Sequence, residues 1–213
     1  MTPHQEGTRR EPYSIQRLEA FSDGVFAIAI TLLILDVRVP RNLPETARLG
    51  DAMLAAWPNY FAFLTSFATI GIMWVNHHRL FRIIARADHG LLIWNGLLLL
   101  GITFVPFPTA LIAEYLHRPD QRTAAMVLGG TYVFLALMFN GLWWHAARGR
   151  RLLGDAVDEA GVRAISRSYA IGPAAYLMTF LLALVNAPAS LGLNLLLAVF
   201  YALPARLLPR PVR

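Results

Sequence analysis

The residues that could do chemistry gather at two points of an otherwise apolar chain. At the first, Arg17, Glu19, Ser22 and Asp23 run directly into an apolar stretch over residues 25–35; at the second, Trp74, Asn76, His77 and His78 close another. Ser22 beside Asp23 is not a nucleophile with its base, because adjacent helical residues project about 100° apart and do not face one another. The same geometry separates His77 from His78, and neither an HExxH pattern nor any Cys accompanies them, so no metal-ligand set is expected. What remains is electrostatic. An ionisable group within an apolar span faces the protein interior and needs a partner there. Arg17 is off the i,i+4 spacing that pairs side chains on one helix. The expected partners of Asp23 therefore come from other elements, with Trp74, Asn76, His77 and His78 the candidates. The histidines would make such a contact sensitive to pH.

The elements that must position these groups are membrane spans. The 213 residues are 56% hydrophobic and 15% charged, with mean hydropathy +0.48. A soluble domain would carry about a quarter charged residues. A spanning helix needs about 20 apolar residues, and six stretches qualify: 18–37, 52–75, 90–113, 124–144, 164–185 and 190–208. The expected fold is an all-α polytopic membrane protein. Polar residues 1–14 are expected to be disordered, and 15–209 to form one six-helix membrane domain. No small-residue cleavage site follows the first apolar stretch, so it reads as a span and not as a cleaved signal peptide.

All 19 basic residues are Arg. Arg9, Arg10 and Arg17, Arg79, Arg82 and Arg86, Arg148, Arg150, Arg151, Arg163 and Arg167, and Arg206, Arg210 and Arg213 fall on one side of the spans. They outnumber Arg38, Arg41, Arg48, Arg118 and Arg122 on the other, which puts both termini in the cytoplasm of a multi-pass cell-membrane protein. These arginines flank apolar spans and form no single patch, so the lipid bilayer is the expected partner and nucleic acid is not. Trp57, Trp74, Trp143 and Trp144 lie near span ends, where interfacial aromatics belong. "FVPFPT" over residues 104–109 should bend or interrupt the third span, since each Pro removes a backbone donor. No internal repeat is visible.

On a wheel of the first span, Phe21, Gly24, Ile28, Thr31, Leu32 and Leu35 fall on one stripe. Asp23 lies roughly 140° from Ile28, and Glu19 is near the opposite side. The helix thus has two faces, one lining something apolar and one fixed to neighbours by polar contacts. From the wheel alone, packing against lipid or core is the simpler account of the aliphatic stripe.

The run Arg17-Leu18-Glu19-Ala20-Phe21-Ser22-Asp23 matches an Arg-x-x-x-Phe-Ser-Asp signature, and with "WVNHHRLF" ending the second of six spans the chain resembles the transmembrane protein 175 family. The animal members of that family are endosomal and lysosomal potassium channels that also pass protons; bacterial members have a single six-helix unit of this size. The resemblance implies a homotetramer around a central pore lined by the first helix, with permeant potassium and no cofactor. It implies a hydrophobic constriction at Ile28, further aliphatic rings at Leu32 and Leu35, and a contribution of Thr31 to potassium preference. It also implies that Arg17, Phe21, Ser22 and Asp23 hold the bundle together and do not coordinate the ion. A ring of aliphatic side chains can stop ions by dewetting. No Thr-Val-Gly-Tyr-Gly carbonyl filter is present, so selectivity should be modest.

A different reading of the same residues is a proton-coupled secondary transporter using Asp23 and His77 as a relay. A membrane enzyme is not expected, because no nucleophile has a base at a facing position.

Overall fold

The computed structural model describes residues 14–41, 44 and 46–202 and is helical from end to end. Helix α1 (Ile15–Leu32) starts where the Ser14 hydroxyl accepts the Arg17 amide, and it runs on into a 3-10 turn at Leu33–Asp36. A short α2 (Leu49–Ala55) precedes α3 (Trp57–Phe81). Then come α4 (His89–Phe104), α5 (Pro106–Tyr115), α6 (Gln121–Ala147), α7 (Glu159–Ala183) and α8 (Ala187–Ala202). Asp88 and Asp158 cap α4 and α7, each carboxylate accepting the backbone amide three residues on, at 2.8 and 2.7 Å.

These helices make six membrane-spanning segments, with α4 and α5 together forming the third. The two-proline run breaks that segment at Val105: Pro106 opens α5 because its missing N–H costs nothing in a first turn. The second span differs from its expected bounds of 52–75. The chain leaves helical geometry at Ala56 and restarts at Trp57 with Pro58 in the first turn, so α3 is displaced toward the cytoplasmic end and residues 49–55 form a separate helix. The fifth span, α7, begins earlier than expected, at the Asp158 cap. The polar stretch 1–13, Arg206, Arg210, Arg213 and the end of the expected sixth span lie outside the described residues.

Ile15–Asp36, His89–Tyr115 and Gln121–Arg150 are each long and apolar enough to cross a membrane unaided, with mean hydropathy 1.9, 2.0 and 1.7. At 25 residues, α3 and α7 have the length but carry more polar side chains. The core is a continuous apolar cluster: Phe26 and Ala29 from α1 and Leu33 from the turn after it meet residues such as Ile70, Leu98, Ile102, Leu135 and Leu142 from the other spans. Without a hydrophobic drive between helices in lipid, small residues set how close they come. A Cβ on Gly141 of α6 would stand 2.3 Å from the Trp94 ring of α4, and one on Gly129 would stand 3.1 Å from the Phe180 backbone of α7.

At one end of the bundle the loops after α3 and α6 are stitched together. The Ala85 amide donates to Leu152 O at 2.8 Å and the Gly154 amide to Ile83 O at 3.0 Å. Gly149 turns the chain here with φ 61°.

Candidate functional site

Helix α1 packs on both α3 and α4 and divides cleanly into two faces. Ser22, Phe26, Ala29 and Leu33 are buried, following the helical period. The other side carries Phe21, Gly24, Ile28, Thr31, Leu32 and Leu35, all exposed on the protomer; Ile28 is 59% and Leu35 69% accessible. The Thr31 hydroxyl donates to Ile28 O at 2.9 Å. Its proton is thereby committed to the helix, which leaves its oxygen lone pairs turned to the outside.

The inner face is held by polar contacts at both ends. Trp74 Nε1 donates to Asp23 Oδ1 at 2.9 Å, and His78 Nδ1 lies 2.9 Å from Glu19 Oε1. Both pairs are one turn apart on their helices, so they form two rungs between antiparallel α1 and α3. The Trp74 and His78 rings stack on each other at 6.0 Å between centroids. At the far end of α1 the Asn59 amide donates to Asp36 O at 2.9 Å.

A third contact joins three helices. Asn95 Nδ2 donates to Ser22 Oγ at 2.9 Å, while Ser22 donates to Leu18 O at 2.8 Å. The Asn95 carbonyl oxygen is then the acceptor for His77 Nε2–H, 2.9 Å away. This fixes the His77 tautomer, with Nδ1 bare, buried and unpartnered. The His77 ring lies flat against Phe81 at 4.2 Å and beside Phe26 at 5.4 Å.

Of the residues singled out in sequence, Ser22, Asp23, Trp74, His77 and His78 come together between α1, α3 and α4. Arg17 is exposed and has no ion pair among the described residues, and Asn76 makes no hydrogen bond there. Asp23 bonds to Trp74 and His77 to Asn95; no hydrogen bond joins Asp23 to His77. His77 and His78 point to different partners, and no cluster of three His, Asp or Glu side chains occurs among the described residues.

Asn95 was not anticipated. The signal was present in "LLIWNGLLLL", a lone carboxamide in an apolar span, which must find a partner. A second unanticipated cluster ties the start of α4 to the end of α6. His145 Nε2 lies 2.8 Å from Asp88 Oδ1, and Arg151 is 3.2 Å from Oδ2. Partial burial pushes the Asp88 pKa up, but the Leu91 amide, His145 and Arg151 outweigh it and hold the carboxyl below its ordinary value.

Comparison with known proteins adds a family. Residues 17–106 match the family described as endosomal/lysosomal potassium channel TMEM175. A potassium channel of Chamaesiphon minutus is 53% identical over 88% of this chain and 93% of its own length. A potassium channel of Streptomyces collinus is 48% identical over 87% of this chain and 90% of its own. A crystal structure of a lysosomal potassium-selective channel TMEM175 homologue from Chamaesiphon minutus superposes with a TM-score of 0.82 at 50% identity, covering 89% of this chain and 96% of that one.

Proposed function

The chain belongs to the TMEM175 family, and from that premise we propose that it is a potassium-permeable cation channel of the cell membrane. Four copies assemble around an axis, each contributing α1 to a central pore. Ile28 forms the narrowest hydrophobic ring, Leu32 and Leu35 extend the apolar wall, and Thr31 presents hydroxyl oxygens to the ion. The protein moves ions and catalyses no covalent step.

One observation carries this reading. The stripe that includes Ile28, Thr31, Leu32 and Leu35 is exposed on the protomer, although the opposite face of the same helix is buried and hydrogen-bonded at several points. A helix fixed so firmly by one face presents the other as a rigid wall. A ring of isoleucine offers water no hydrogen bonds and so resists wetting until the helices separate. Just beside it, four Thr31 oxygens with free lone pairs can replace part of a hydration shell. Asp23 and Glu19 contact Trp74 and His78, which supports a role for them in holding α1 and an ion path lined by uncharged groups.

The test uses the absence of Cys in the chain. Ile28→Cys should cross-link between subunits under mild oxidation and close the conductance, with reductant restoring it. A Cys on the exposed side of α7, at Ile171, should not. Failure of position 28 to cross-link in a current-carrying preparation would remove α1 from the axis. Saturable flux at carrier turnover, without resolved single-channel steps, would favour the transporter reading through Asp23 and His77.

A further inference from the structure

Away from α1, helices α3, α5, α6 and α8 enclose a cavity of about 20 Å3 whose polar lining is Thr65, Ser66, Thr69, Thr109, Tyr132 and Asn194. Its hydroxyl protons are almost all committed elsewhere. Thr65 donates to Phe61 O, Thr69 to Thr65 O and Thr109 to Val105 O, each at 2.8 Å. With the Thr109 proton used, Ser66 must be the donor in their 2.7 Å contact. The Tyr132 phenol lies close to Thr69 and Ser66. Asn194 donates from Nδ2 to Ser190 O at 3.1 Å, and that carbonyl partner fixes the orientation of the carboxamide. Asn194 Oδ1 is left buried with no partner, on a side chain only 8% exposed.

The cavity therefore has many lone pairs and few donors, and none of them is paired with Asn194 Oδ1. Whatever fills it must bring protons or positive charge. We propose that it is a hydration site for one water molecule, which donates one hydrogen to Asn194 Oδ1 and the other to a hydroxyl oxygen of α3. The volume fits: a water needs roughly 10–15 Å3 of such space and two to four polar partners. A bare alkali cation would meet only neutral oxygens here, since no carboxylate lines the cavity, and burying an unpaired charge is far more costly. The water adds a polar link between α8 and α3, which pack against each other here, and it belongs to the fold and not to the proposed ion path.

Two measurements on the purified full-length protein test this. The first is hydroxyl-radical labelling of the wild type, where bound water delivers the radical to its neighbours. Tyr132 should be labelled several-fold faster than Trp143, each being 3% exposed. No labelling of Tyr132 above Trp143 would overturn the proposal. The second is the sign of the stability change in Asn194→Leu. A wet site makes this substitution lower Tm, because water loses its acceptor. A dry site makes it raise Tm, by removing an orphaned carbonyl of similar volume, and a raised Tm would overturn the proposal. The wild-type Tm should be the same in sodium, potassium and N-methyl-glucamine; stabilisation by one alkali ion that Asn194→Leu abolishes would replace water with a cation.

Discussion

Trp74 Nε1 and Asp23 Oδ1 stand 2.9 Å apart, one helical turn from the matching pair of His78 and Glu19. The indole N–H gives the carboxylate a neutral donor on the side that meets α3. It also sets the rotation of α1 about its own axis, since Ile28 lies on a different azimuth from Asp23 and is turned outward by the same contact.

Trp74→Phe should therefore destabilise the protein by about 1 kcal/mol, toward the low end for a hydrogen bond to a charged group because the pair is partly exposed. Asp23→Asn keeps an acceptor at the same place and should cost much less. Thermal unfolding in detergent compares the two. Equal losses would mean that the carboxylate charge, and not the Trp74 bond, is what matters.

The chain Ser22–Asn95–His77 is buried throughout, so its members should not be independent. Ser22→Ala leaves the Asn95 amide without its acceptor, at a cost of about 1–2 kcal/mol for a hydrogen bond within a membrane. Asn95→Leu removes the acceptor of His77 as well and should cost more. In the double variant the two losses should fall short of additivity, read from a double-mutant cycle of unfolding free energies. Strict additivity would mean that the chain is a set of isolated contacts.

On the proposed ion path, Ile28→Asn wets the constriction and should raise single-channel conductance or open probability several-fold in planar bilayers. Thr31→Val keeps the shape but removes the oxygen, so the potassium-to-sodium permeability ratio should fall in bi-ionic reversal potentials. Unchanged currents in both variants would remove these residues from the path.

The Asp88 cluster makes a pH prediction outside the spans. Its carboxyl is held below the ordinary value when folded, so ionised Asp88 stabilises the fold at all pH values above the unfolded pKa of about 3.9. That contribution is lost as pH falls through the lower folded value. Asp88→Asn should lower Tm by a few degrees at pH values well above the unfolded pKa, and the two curves should converge as pH falls through the lower folded value. A gap that persists at low pH would mean that the loss does not come from the carboxylate charge, since Asn also caps helices and a protonated Asp88 has no charge to pair with His145 or Arg151.

The two faces of α1 were legible in the chain because helical periodicity is local: about 100° per residue places Ile28, Thr31 and Leu35 together whatever surrounds them. The break at Pro106 was legible for the same reason, since a missing N–H is a property of one residue. The restart of α3 at Trp57 was not. Residues 52–55 run straight into the apolar stretch in sequence, and the break appears only where the chain leaves helical geometry at Ala56, before Pro58.

Choosing among partners was a different matter. The sequence named four candidates on α3 for Asp23, and no local rule separates Trp74 from Asn76. Two positions along a helix turn a side chain by about 200°, so the depth and rotation at which α1 seats against α3 decide which one meets the carboxylate. The same register brings Asn95 from a third helix to Ser22. Membrane insertion and the outward stripe thus follow from one-dimensional pattern, whereas the hydrogen-bonded anchors and the donor-poor cavity at Asn194 exist only once separate helices converge, because a partner's distance is a property of the packed bundle and of no single segment.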